Sequence, residues 1–209
     1  MALSRRRNEI EKRHGRNFYV DIGLKSWRRI FFTVEVWTCT SLKRFTVLFF
    51  MDLSTRRVEI GGVASSANEL WMLQIARNLT DAIDGFLRSK TYLIHDRDPL
   101  YPREFLSIIA AYGVEAVKLP PRSPNLSAYA ERFVRSIKES CLDQMIFFGE
   151  DALRNSIREF ITHYHIERNH QGLENRLIVP LEMINIGTGV VKKRGRLGGL
   201  LNHYYREAA

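Results

Sequence analysis

The apolar positions fall into short dense runs early in the chain and into longer stretches of helical period later on. Phe31 to Trp37 is β-branched and aromatic and predicts a strand. Cys39 to Lys43 is a polar turn, Phe45 to Met51 a second, fully apolar strand, and Arg56 to Ile60 a third after the turn at Asp52 to Thr55. Strands in such quick succession predict an antiparallel meander, ended by Gly61-Gly62. Asn68 to Leu87 then reads as a long helix with Leu70, Leu73, Ile75, Leu79 and Ile83 tracking one face. Thr91 to His95 is a fourth strand, Tyr101 to Tyr112 a helix closed by Gly113, and Val114 to Leu119 a fifth strand. Asn125 to Asp143 and Asp151 to His165 are helices. The order β-β-β-α-β-α-β-α-α predicts the α/β class, with a mixed sheet of about five strands and helices on its faces.

Composition changes this picture little. At 209 residues the chain is one domain with extensions, with 45% hydrophobic and 26% charged residues. The longest strongly apolar run, Val47 to Met51, is far too short to span a bilayer, and no membrane association is expected. Cys39 and Cys141 form no metal-type pair and no disulfide framework, which suits a reducing cytoplasm. Charge says more. Of a net +9, residues 1–30 carry +6 and residues 188–209 carry +4, leaving the middle near −1. Three regions follow: a basic N-terminal arm or linker remnant at 1–29, a core at 30–187 and a basic C-terminal tail at 188–209. Basic ends on a neutral core suit nucleic-acid phosphates, although solvated tails have the same composition.

Two acids stand out. Asp96 follows the apolar run Tyr92-Leu93-Ile94-His95, at the end of a predicted strand. Glu131 lies in the predicted helix after Ser123-Pro124-Asn125, with 34 residues between it and Asp96. Hard divalent cations take carboxylate oxygens, and two of them can hold the attacking and leaving oxygens of a phosphoryl displacement. Read alone, Asp96 opens a turn and Glu131 forms an exposed pair with Arg135 at i+4. Arg122, Arg132, Arg135 and Lys138 surround this stretch, with Asn169 and His170 beyond it. No P-loop, nucleophile elbow or zinc ligand set is present.

Several segments resemble the catalytic core of the Asp-Asp-Glu transposases and retroviral-type integrases, in particular bacterial insertion-sequence transposases. These are Phe31 to Trp37, Asp52-Leu53-Ser54-Thr55-Arg56-Arg57, His95-Asp96-Arg97-Asp98, Ser123-Pro124-Asn125 through Glu131-Arg132-Phe133, and Glu167 to Leu173. The resemblance covers roughly residues 27 to 205. It implies a ribonuclease H-like fold whose acids converge at one sheet edge. It implies Mg²⁺ (or Mn²⁺) held by Asp96 and Glu131, DNA as partner, a homo-oligomeric assembly, and DNA strand cleavage and transfer. Asp98 stands where many relatives carry glycine and reads as turn-forming.

The resemblance also exposes a departure. The family's first acid lies three residues after a Trp. In Trp27-Arg28-Arg29-Ile30-Phe31-Phe32-Thr33 that position is Ile30, which cannot bind a metal. Two-metal catalysis is therefore expected to be lost unless another acid substitutes. Glu35 alternates to the opposite face of the strand. Asp52 is the substitute with the better placement, though its expected role is to cap the turn before Arg56-Arg57. The N-terminal segment departs as well and carries nothing like the helix-turn-helix usual in these transposases. A frameshifted or truncated gene copy would produce both features. In the tail, Lys192, Lys193 and Arg194 suit DNA phosphates, and Leu197 to Leu201 suits either a neighbouring subunit or the chain's own core. The alternatives to an active enzyme are a catalytically dead transposase remnant that binds DNA or multimerises, and a ribonuclease H-like nuclease.

Overall fold

A computed structural model describes residues 26–81, 85, 87, 92–95, 102–118, 124–180 and 189–206. The expected meander is β1 (Ser26–Trp37), β2 (Leu42–Asp52) and β3 (Val58–Ala64), each antiparallel to the next. Two further strands, β4 (Tyr92–His95) and β5 (Glu115–Lys118), add in parallel beside β1. The sheet order is β3-β2-β1-β4-β5. This is the mixed α/β sheet that the hydrophobic pattern predicted.

The run Phe45 to Met51 is apolar throughout because both of its faces are covered. Val47, Phe49 and Met51 point into one core with Phe32, Val36, Phe133 and Phe160. Leu48 and Phe50 point into a second core with Trp27, Met72, Phe105 and Ile109. The second core is closed by α1 (Glu69–Leu79) and α2 (Arg103–Ala111). The first is closed by α3 (Pro124–Ser140) and α4 (Glu150–Ile166).

Element ends depart from the pattern for identifiable reasons. β1 begins at Ser26, inside the expected arm, and Arg28 and Arg29 are buried in it. Basic residues there conceal a strand from a hydrophobicity reading. In β3 the pair Gly61-Gly62 lies within the strand. Leu48 pairs with Gly62 and Phe49 with Ile60, so Gly61 is an extra, bulged residue. A Cβ on Gly61 would lie 2.5 Å from the Phe50 ring, so only glycine lets that ring pack across the strand. The first helix stops early. Asn68 caps it by accepting from the Trp71 N–H at 2.9 Å, and the Thr80 hydroxyl closes it by donating to the Ala76 carbonyl at 2.9 Å.

Residues expected as a basic tail form a hairpin, β6 (Val191–Arg196) and β7 (Leu201–Arg206). It is anchored rather than loose: Leu201 is buried in the first core, and Arg196 pairs with two glutamates of α4 and its C-terminal cap. Among the described residues no helix is long and apolar enough to cross a membrane.

Candidate functional site

Ile30 sits in β1 opposite Phe49, on the face that packs against α3 and α4. Asp52 pairs with Trp27, whose ring lies in the other core, so its carboxylate leaves the sheet on the opposite side from Ile30. That carboxylate is also engaged. Its Oδ1 accepts from the Ser54 N–H at 2.9 Å, the Ser54 hydroxyl at 2.6 Å and the Thr55 N–H at 3.4 Å. Asp52 thus caps the β2–β3 turn. Glu35 pairs with Arg44 at 3.4 Å in an exposed contact.

Glu131 is exposed on α3 and makes no ion pair among the described residues. The helix buries Ala130, Phe133 and Ile137. At about 100° per residue, Glu131, Arg135 and Lys138 share one flank, and Tyr129, Arg132 and Ser136 share another. Tyr129 and Glu131 therefore point to nearly opposite sides. Their surroundings agree. Lys138 lines an open depression with Thr33, Val34 and Glu35 of β1. Tyr129 and Arg132 line a different cleft, of about 300 Å³, with Arg56, Tyr164 and Arg168. Asp96 and Arg122 lie outside the described residues. Lys192, Lys193 and Arg194 are exposed on β6, and Arg194 also lies 5.4 Å from the Tyr205 ring. Arg132 is thus set apart from Arg135 and Lys138, with which it was grouped by sequence.

Sequence reasoning did not assemble the cleft. Arg56 comes from the β2–β3 turn, Tyr129 and Arg132 from α3, and Arg168 to Gly172 from the loop after α4. The available signal was the run Glu167 to Leu173, whose spacing the resemblance had singled out. Its fold explains the residue types. His170 bonds the Tyr164 carbonyl through Nε2 at 2.7 Å and turns the loop back on the helix. Glu167 is the buried half of the hairpin anchor. Its carboxylate accepts two bonds from Arg196, at 2.9 and 2.7 Å, and a third contact from His163 Nδ1 at 3.0 Å. Arg196 chiefly holds the Glu167 carboxyl down to about 2. His165 accepts from the Val58 N–H through Nε2 at 3.0 Å, so its ring is neutral. Burial, with Arg57 nearby, lowers it to about 4.

A divalent-metal site needs oxygen donors that converge. Among the described residues no group of three His, Cys, Asp or Glu side chains is placed to hold a metal ion. Position 30 is apolar, Asp52 faces away, and Glu131 is the one family-type acid described. The donors among the described residues do not make up a two-metal centre.

The architecture is that of integrase catalytic cores. The catalytic core domain of BIV integrase is similar with a TM-score of 0.51 at 14% identity, over 71% of this chain and 88% of that one. A chain of the simian T-cell lymphotropic virus intasome, solved in complex with PP2A regulatory subunit B56 gamma, gives 0.50 at 15% identity, over 88% of this chain and 67% of that one. At these identities the likeness establishes the ribonuclease H-like fold. Residues 112–177 match the family model described as integrase core domain. That segment contains Glu131 and every cleft residue except Arg56. No curated protein matches the chain. Fold and family match together support an integrase/transposase-type core, the class expected from the sequence.

Proposed function

We propose that this chain is an integrase/transposase-type core protein that binds DNA, assembles as a multimer, and does not complete the metal site for strand cleavage and transfer. The observation that carries the second half is Ile30. It packs into the apolar core beneath α3, at the position where the family's first acid is expected, and Asp52 is committed to a turn on the other face of the sheet. DNA binding is supported by the integrase core match, by the net charge of +9, and by the exposed cations of α3 and β6. The retained acids, Asp96 and Glu131, would hold Mg²⁺ or Mn²⁺ only beside a restored third carboxylate.

The test is a Mg²⁺-dependent nicking and strand-transfer assay on duplex DNA. It compares the unmodified protein, Ile30→Asp, and Ile30→Asp combined with Glu131→Ala. The expected result is DNA binding without nicking in the unmodified protein. Nicking should appear with Ile30→Asp and vanish with the added Glu131 change. Metal-dependent nicking by the unmodified protein would sink the reading, and cleavage of an RNA–DNA hybrid would replace it with a ribonuclease H-like nuclease.

A further inference from the structure

The cleft on the far flank of α3 is built around three guanidinium groups. Arg56, Arg132 and Arg168 line it, and among the described residues no carboxylate does. Among the described residues none of the three forms an ion pair. Like charges gathered this way repel one another unless an anion lies between them.

Two of these arginines are held in place. Arg56 has a left-handed backbone, φ 63°, a conformation that is unfavourable for a residue with a Cβ. The turn capped by Asp52 imposes it, and the Arg56 N–H donates to the Asp52 carbonyl at 2.7 Å. The guanidinium then lies over the Tyr129 ring, 4.2 Å from its centroid. The guanidinium also abuts Gly172, where a Cβ would stand 2.5 Å from Nη1. Arg168 donates to the Ser136 hydroxyl and lies 5.9 Å from the Tyr164 ring centre. Neither the Ser136 hydroxyl nor the aromatic faces neutralise a charge. Burial lowers His170 against the raising effect of its bond to the Tyr164 carbonyl, and Arg168 and Arg56 lower it further, as a positive field in the cleft would.

We propose that this cleft is a phosphodiester-binding site for a nucleic-acid strand, separate from the Glu131 flank of the same helix. Planar guanidinium forks pair bidentately with phosphate oxygens, and here they are positioned before the ligand arrives. A strand held here would be gripped on one side of α3 while Glu131 faces the other, so α3 would act as the divider between an anchoring surface and the acidic site. The inference rests on the DNA-binding reading above, and its test separates the two.

Affinity for a fluorescent duplex is measured by anisotropy over a series of salt concentrations, with Arg56→Gln, Arg168→Gln, Gly172→Ala and, as control, Arg77→Ala on the exposed face of α1. Each lost phosphate contact should flatten the slope of log affinity against log salt by about 0.9. Each should also weaken binding on the order of tenfold at low salt. Gly172→Ala is the discriminating variant. Its new methyl displaces only the end of the Arg56 side chain, so it should leave the melting temperature unchanged and still reproduce the Arg56→Gln loss. Arg77→Ala should match the unmodified protein. If the unmodified protein binds duplex while all cleft variants match it in affinity and slope, the cleft proposal is wrong and the DNA reading stands. If the unmodified protein does not bind duplex but titrates with inorganic phosphate in an Arg168-dependent way, the cleft takes a free anion, and both the phosphodiester assignment and the DNA reading fail.

Discussion

Arg196→Ala removes the cation that ties the C-terminal hairpin to α4. The Glu167 side chain it leaves behind is 2% exposed, and among the described residues only His163 Nδ1 and the more distant Arg194 guanidinium, 3.7 Å away, still face its carboxylate. The carboxyl sits at about 2 in the fold against an ordinary 4.5, chiefly through Arg196. At about 1.4 kcal/mol per pKa unit, that gap makes ionised Glu167 worth about 3 kcal/mol to the folded state. Breaking one side of a buried ion pair costs about 3–5 kcal/mol in general, which agrees. The sign follows from the depression. The contribution is complete above 4.5 and is lost as pH falls toward 2. Urea denaturation of both proteins at neutral pH should therefore show a loss of about 3 kcal/mol in the variant, and the difference should shrink as pH falls below 4.5. Amide exchange should quicken across 191–206, because the hairpin is left with the packing of Leu197 and Leu201, the longer Arg194 contact and the His203 contact to the Glu167 carbonyl at 3.1 Å. A loss under about 1 kcal/mol, or a difference that stays constant down to pH 2.5, would refute the assignment of Arg196 as the buried anchor.

The remaining predictions concern the core and its protonation. His165 is lowered to about 4 from 6.5, chiefly by burial, so it stabilises the fold fully above 6.5 and less as pH falls toward 4. His165→Gln should flatten the pH dependence of the melting temperature in that window, and an unchanged profile would show that His165 does not titrate there. Gly61→Ala places a methyl 2.5 Å from the fully buried Phe50 ring and should cost about 1–3 kcal/mol in chemical denaturation. Phe133→Ala removes a ring packed 4.7 Å from Phe49 and 5.1 Å from Tyr164 and should cost about 3–5 kcal/mol by the same measurement.

The sequence by itself determined the sheet and its helices. Strand period, apolar runs and turn residues are local signals, and in β2 the apolar run already implied cover on both faces. The same reading placed Glu131 on a helix flank with Arg135 and Lys138, since helical spacing alone fixes that. What it missed was hidden by composition. The buried start of β1 reads as Ser-Trp-Arg-Arg, and β6 reads as Val-Lys-Lys-Arg-Gly-Arg, so neither shows the alternation that marks a strand. Only the tertiary structure decided that Asp52 leaves the sheet on the side away from position 30, because that depends on strand register. Trp27 opposite Asp52 sends Asp52 to one side, and Ile30 opposite Phe49 sends Ile30 to the other. Only it could gather Arg56, Arg132 and Arg168, which stand far apart in the chain and meet where a turn, a helix and a loop close on one another. Local periodicity carries no information about such a meeting, since it is fixed by how the packed elements cross.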